Sequence, residues 1–349
     1  MKTQIFKLKE NIKMKSMFFV CLLYLLTVIT SNAQETGFHT LTGPYLGQKP
    51  PGVIPEIFAP GIVSTGFHVQ RLTFNPDGNE YFFSLTIGFE TILWTRLQND
   101  KWTEPEVAPF SGWYYEGYPS FHPDGSKLYF HSYRPENDGT EPSENANIWV
   151  VERTGYSWGE PRILGPAING KGSVSGPSVT RDGTLYFSKY QDNGKEYAMR
   201  SELIDGVYQI PEPLHPKIRH AMHFCISPDE SYLIIPRGKD ATIPGGGNNY
   251  YITFRNEEGE WSDLIDLGDQ IRSARPGPGY YPSISSDGTY FFFQGRPKWT
   301  FIKSQNSHLN YSDLKKKLVK EPIYDRGTIY WVDARIIEEL RTINFNKRR

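Results

Sequence analysis

Apolar and polar positions alternate along this chain in short runs, and five of these runs share one design: an alternating segment, a tight turn, then an aromatic-rich segment. The copies read Leu72-Thr-Phe-Asn-Pro-Asp-Gly-Asn-Glu-Tyr-Phe-Phe83, Pro119-Ser-Phe-His-Pro-Asp-Gly-Ser-Lys-Leu-Tyr-Phe130, Pro177-Ser-Val-Thr-Arg-Asp-Gly-Thr-Leu-Tyr-Phe187, Phe224-Cys-Ile-Ser-Pro-Asp-Glu-Ser-Tyr-Leu-Ile-Ile235 and Pro282-Ser-Ile-Ser-Ser-Asp-Gly-Thr-Tyr-Phe-Phe292. Their turn aspartates, Asp77, Asp124, Asp182, Asp229 and Asp287, are spaced by 47, 58, 47 and 58 residues. Recurrence on that scale is the signature of a propeller or solenoid rather than of one irregular core.

The turn chemistry explains the aspartates. Proline presets φ, Asp bonds back to the local backbone, and Gly takes the left-handed position that closes a hairpin. Presence in every copy therefore makes these carboxylates structural rather than a row of catalytic acids or calcium ligands. The fourth copy carries Glu230 where Gly is expected, which predicts a strained turn or one of another type.

A third strand follows the hairpins, seen as Ile92-Leu-Trp94, Asn147-Ile-Trp-Val-Val151, Tyr250-Tyr-Ile-Thr253 and Ile329-Tyr-Trp-Val332. An outer strand follows that, in the segments opened by Trp102, Trp158, Tyr208 and Trp261. Four strands per unit, repeated radially, build a propeller blade. Trp94, Trp102, Trp149, Trp158, Trp261 and Trp331 belong to this pattern and are expected in blade packing. The fifth unit ends instead in a predicted short helix, Ala334 to Arg341. Pro55-Glu-Ile-Phe-Ala-Pro60, however, nearly copies Pro105-Glu-Val-Ala-Pro109, so the N-terminal segment is expected to supply the missing outer strand and remove the open sheet edges. The expected fold is all-β, a five-bladed propeller closed by an N-terminal strand.

The motifs Phe74-Asn-Pro-Asp-Gly78, Phe121-His-Pro-Asp-Gly125, Asn147-Ile-Trp-Val150 with Trp158-Gly-Glu-Pro161, and Ser227-Pro-Asp229 resemble those of the WD-repeat-like propeller family of the TolB type. The resemblance spans nearly the whole mature chain. It implies a periplasmic or secreted binding module that docks proteins or cell-envelope polymers, in a family that also includes enzymes. No catalytic motif comes with it.

Composition adds the compartment. Lys2, Lys7, Lys9, Lys13 and Lys15 precede an apolar run from Met17 to Ile29 and then Ser31-Asn-Ala33, the layout of a secretory signal peptide cleaved after Ala33. Residues 1–33 are thus expected to be a leader and 34–349 a single domain, periplasmic or extracellular, with no membrane span after cleavage. Cleavage also removes Cys21 and leaves Cys225 alone, so no disulfide is available. Lys and Arg number 38 against 39 acidic residues, for a net charge of -1, which gives no footprint for nucleic acid. A monomer with no cofactor is expected.

Function should lie in what the repeat does not explain. Six residues before each turn aspartate stand Arg71, Tyr118, Gly176, His223 and Tyr281, and nine before it stand His68, Tyr115, Ser173, His220 and Pro278. Returning loops bring His131, Tyr133, Arg134, Lys189, Tyr190, Arg237, Lys239, Arg296 and Lys298, with Trp113 and Trp299 nearby. These positions converge on one rim of the channel. A basic, aromatic mouth suits an anionic or sugar-like ligand, and the candidate binding residues are Arg71, Trp113, Tyr118, His220, His223, Arg237, Tyr281 and Arg296. No metal site is expected, because His220 and His223 lie three apart in a strand without a carboxylate partner. Nor is a serine nucleophile expected at Ser120, Ser178 or Ser283, which lack a nucleophile elbow.

Two functions follow. The first is a secreted module binding a glycan, a cell-envelope polymer, a peptide or a protein without covalent chemistry. The alternative is a lyase or hydrolase on acidic saccharides, with Arg71, Arg237 or Arg275 neutralising a sugar carboxylate while Tyr118, Tyr281 or His223 moves the proton. The absence of a recognisable catalytic set favours the first.

Overall fold

The structure, a computed structural model, describes residues 41–137, 139–191, 194–237, 249–269, 271, 279–295, 312 and 327–346. The expected leader, Arg275, Arg296 and the lysine-rich segment after Asp313 lie outside the described residues.

Five antiparallel sheets form the blades of a propeller. Blade 1 consists of His68–Phe74, Glu80–Thr86 and Glu90–Gln98, with Lys101–Trp102 and Glu106–Val107 both pairing on the third strand. Blade 2 repeats this in Glu116–Phe121, Lys127–Ser132 and Asn147–Thr154, with Ser157–Trp158 and Arg162–Ile163 outermost. Blade 3 is Val174–Val179, Leu185–Tyr190, Glu196–Ser201 and Glu212–Pro213, and blade 4 is Cys225–Ile226, Tyr232–Arg237, Asn249–Phe254 and Ile265–Asp266. Blade 5 takes Ser283–Ile284, Tyr290–Gly295 and Thr328–Asp333 from the C-terminal part of the chain. Its outer strand is Glu56–Ile57, which registers Glu56 opposite Trp331 and Ile57 opposite Tyr330.

Closure is cemented beyond that short ladder. Phe58 N–H donates to the Ile329 carbonyl at 2.8 Å, and Ser64 Oγ accepts from Ile329 N–H at 2.9 Å. The fully buried Phe58 ring sits within 5.8 Å of the Phe74, Tyr81, Phe292 and Trp331 rings, so blades 1 and 5 share one aromatic core. Between blades 1 and 2 the same role falls to Phe82, Phe110, Phe130, Trp149 and Trp158.

The repeat turns have the expected chemistry. Asp124, Asp182, Asp229 and Asp287 each accept the backbone N–H two residues on, from Ser126, Thr184, Ser231 and Thr289. Burial alone would raise these carboxyls; the backbone and hydroxyl donors outweigh it and hold them below the usual range. Glu230 adopts φ 61° where Gly78, Gly125, Gly183 and Gly288 stand in the other blades. Its carboxylate takes hydrogen bonds from Arg200 Nε and Tyr186 OH, both 2.7 Å, and an ion pair with Arg255, so an inter-blade network offsets the backbone cost.

Three details differ from the sequence reading. The third strand of blade 3, Glu196–Ser201, carries Tyr197 alone rather than the run of aromatic and β-branched residues that marks the other third strands. Val207–Tyr208 pairs with Leu203–Ile204 as a separate small hairpin, leaving Glu212–Pro213 as the outer strand. The C-terminal helix runs further than expected, Arg335–Asn346. Among the described residues no helix is long and apolar enough to cross a membrane.

Candidate functional site

In blades 1, 2 and 3 the first strand breaks its ladder: register shifts between Val69 and Leu72, Gly117 and Ser120, and Ser175 and Ser178 mark β-bulges. At the position six residues before the turn aspartate, Tyr118, His223 and Tyr281 occupy the left-handed region, at φ 52°, 53° and 53°, and Gly176 does so at 61°, four of the five positions. Non-glycine residues in that region cost on the order of 1–3 kcal/mol each and persist where the surrounding structure imposes them.

The strained residues meet. Tyr118 OH donates to Tyr281 OH at 3.2 Å, with ring centroids 5.1 Å apart. The His223 ring lies 4.5 Å from that of Tyr281 and 5.9 Å from that of Tyr118, while His131 lies 4.4 Å from Tyr118. Tyr115 and Tyr133 extend the cluster outward from His131. Burial, then the Arg71 and His131 charges, push the His223 imidazole down to about 3, so it is neutral at physiological pH. Burial also holds the Tyr118 and Tyr281 phenols well above the ordinary range, so both are protonated donors.

Arg71, the fifth member of the position, does something else. Its guanidinium donates from Nη1 to the Pro177 carbonyl at 2.7 Å and from Nη2 to the Phe224 carbonyl at 2.6 Å, with the Pro282 carbonyl at 3.5 Å. These carbonyls all stand five residues before their turn aspartates, in blades 3, 4 and 5. Symmetry therefore points backbone oxygens at the axis, and one arginine from blade 1 plugs the ring. On the turn side of this plug, Thr73, Ser120, Ser178, Cys225 and Ser283, again equivalent positions, line a cavity of about 30 Å³. Thr73 and Ser178 accept N–H groups of the following blade, from Phe121 and Ile226, which gives the recurring hydroxyl a packing role.

Beside the aromatic cluster lies a pair of groups that the sequence reading undervalued. Glu90 opens the third strand of blade 1 fully buried, in space left by Gly117, where a Cβ would overlap its carboxylate. His131 Nε2 is 3.6 Å from Glu90 Oε2, beyond hydrogen-bond distance. Among the described residues neither ring nitrogen and neither carboxylate oxygen has a hydrogen-bond partner. Neighbouring Glu116 is equally buried but saturated, by Arg134 at 2.5 Å, Ser132 Oγ at 3.1 Å and Gly112 N–H at 3.0 Å. Glu196 holds the place of Glu90 in blade 3, and burial raises its carboxyl despite donors on Ser188 and Tyr190.

The structure thus brings together Arg71, Tyr118, His223 and Tyr281 of the expected set. His220 sits apart, its Nδ1 3.1 Å from the Glu196 carbonyl and its ring 4.8 Å from that of Tyr197. Arg237 donates to the Lys217 carbonyl at 2.8 Å. Trp113 is 85% exposed and makes no ring contact with the cluster. Among the described residues, no group of three or more His, Cys, Asp or Glu side chains is placed to hold a metal. Glu90 was missed because the strand was read as starting at Ile92. Its signal was a lone acidic residue entering an apolar strand.

No protein-family model matches the chain, and no curated protein matches it in sequence. Solved structures similar to it include the putative TolB from Agrobacterium tumefaciens, at 17% identity over 67% of this chain and 72% of that one, with a TM-score of 0.41. The catalytic domain of the Coprinopsis cinerea GH62 α-L-arabinofuranosidase is 12% identical over 81% of this chain and 97% of its own, with a TM-score of 0.42. A protein of unknown function from Dyadobacter fermentans is 14% identical over 71% and 80% of the two chains, with a TM-score of 0.38. The five-bladed architecture stands on the strand topology of this chain itself.

Proposed function

We propose that the chain is a binding propeller that receives a small ligand, or the end of a glycan or peptide, at the channel mouth formed by Tyr118, His223 and Tyr281. The observation that carries this reading is the shared left-handed backbone of these three aromatic residues. The chain maintains three strained positions to present three rings at one place, and strain of this kind collects at ligand sites. Ring faces, two protonated phenols and a neutral imidazole suit stacking and hydrogen bonding to a cyclic or planar polar group.

Binding is favoured over the lyase alternative by where the guanidinium groups are spent. Arg71 and Arg237 both donate to backbone carbonyls, and the neighbouring carboxylate, Glu116, is taken up by Arg134, Ser132 and Gly112. In line with a secreted module, the leader is expected to be removed, giving a mature protein that begins at Gln34. N-terminal sequencing of the exported protein checks this, and a retained Met1 would reject it.

The site is tested by titrating the mature protein with a panel of oligosaccharides and short peptides, comparing Tyr118→Ala and Tyr281→Ala with the parent. Loss of an aromatic platform is worth about 1–3 kcal/mol, so each variant should bind roughly 5- to 150-fold more weakly. Unchanged affinity in both variants, with a ligand that the parent binds, would place the site elsewhere.

A further inference from the structure

Among the described residues, the arginines of the channel mouth are spent on partners within the protein. The Arg71 guanidinium is committed to the carbonyl ring, Arg134 to Glu116 and the Phe110 carbonyl, and Arg237 to the Lys217 carbonyl. His223 is neutral. Glu90, by contrast, is a fully buried acidic side chain whose oxygens make no hydrogen bond of normal length; His131 Nε2 stands 3.6 Å from Oε2, and the phenols of Tyr115, Tyr118 and Tyr281 lie near enough to interact with it.

A buried carboxylate without donors is costly unless a cation or hydrogen-bond donor completes it. Aromatic faces attract cations through their ring quadrupoles, and the combination of such rings with one acidic group is well matched to an ammonium ion. A ligand carboxylate would meet repulsion from the same group. Resting on the channel-mouth reading above, we infer that the ligand presents an ammonium group to Glu90, with the rings of Tyr115, Tyr118 and His131 packed around it.

This chemistry is shared by amino sugars and by quaternary amines, and matched probes separate the two. D-glucosamine, D-glucose and D-glucuronate keep one sugar ring and carry positive, no and negative charge. Choline and its carbon isostere 3,3-dimethylbutan-1-ol do the same for a quaternary head group. The full mature chain is titrated with each by NMR or calorimetry, alongside Glu90→Gln.

The expected result is binding of glucosamine, choline or both in clear preference to the matched neutral probe, weakened about 10- to 100-fold in Glu90→Gln, as for loss of a charge-assisted hydrogen bond. A melting temperature of Glu90→Gln close to the parent's ties any loss of amine affinity to the site rather than to the fold, since the amide keeps the size and shape of the carboxylate. Glucose or glucuronate binding at least as well as glucosamine, with no preference for choline over its isostere, would overturn the ammonium assignment alone. Equal amine affinity in Glu90→Gln would do the same. No binding of any probe, with the His223 and Tyr118 resonances unmoved, would overturn both this inference and the channel-mouth site.

Discussion

Replacing Arg71 by methionine tests whether a cation is the structural axle of the ring. Two of its contacts, 2.7 Å to the Pro177 carbonyl and 2.6 Å to the Phe224 carbonyl, are short charge-assisted hydrogen bonds, and the third at 3.5 Å is marginal. At about 1.5–3 kcal/mol for each strong bond, their loss amounts to roughly 3–6 kcal/mol. Two terms act in the other direction. Burying the guanidinium, which lowers its pKa, no longer costs anything, and the adjoining cavity of about 30 Å³ lets water reach the freed carbonyls. The net expectation for Arg71→Met is a loss of about 3 kcal/mol. Arg71→Lys keeps the charge without the planar fork and should lose about half as much. Equilibrium urea unfolding followed by tryptophan fluorescence reads this as a lowered midpoint at constant slope. A methionine variant as stable as the parent would refute the argument, since the converging carbonyls would then need no cation.

Two further outcomes follow from strained or buried groups. His223 has a folded-state pKa of about 3 against an ordinary 6.5, so the unfolded chain binds a proton that the folded chain refuses. Its contribution to stability is complete above about pH 6.5 and is lost progressively toward pH 3, with a slope of up to about 1.4 kcal/mol per pH unit. His223→Phe should therefore become relatively more stable than the parent as pH falls from 6.5 to 4, and a difference that stays flat in denaturation series would contradict this. Glu230→Gly relieves about 1 kcal/mol of left-handed strain but strands Arg200, Arg255 and Tyr186, for a net destabilisation of about 1–2 kcal/mol. In an Arg200→Met, Arg255→Met background the same change should turn stabilising; a destabilisation of the same size there would show that the network is not what Glu230 is kept for.

How far the sequence could be read depended on whether the information lay in side chains or in backbone. The turn motif located every blade, and the likeness of Pro55–Pro60 to Pro105–Pro109 foretold the closing strand, because both are patterns of residue type. Convergence of Tyr118, His223 and Tyr281 followed from their common offset to the turn aspartates. The role of Arg71 was hidden, because its partners are backbone carbonyls that leave no trace in residue identity. The commitment of Arg237 was hidden for the same reason: like Arg71 it looked available to a ligand and is spent on a carbonyl. Glu90, at a strand start and admitted by Gly117 in the next blade, carried no repeat signal. Glu196–Ser201 escaped notice because Ala198, Met199 and Arg200 carry no strong strand preference and become a strand through pairing with Leu185–Tyr190.

The most direct test of the channel-mouth site is a ligand titration of protein labelled at tyrosine and histidine side chains, read by NMR. The account predicts that the Tyr118, His223 and Tyr281 resonances shift together along one binding curve while those of His220 and Tyr156 stay fixed. A ligand that binds while those three remain unmoved would contradict it.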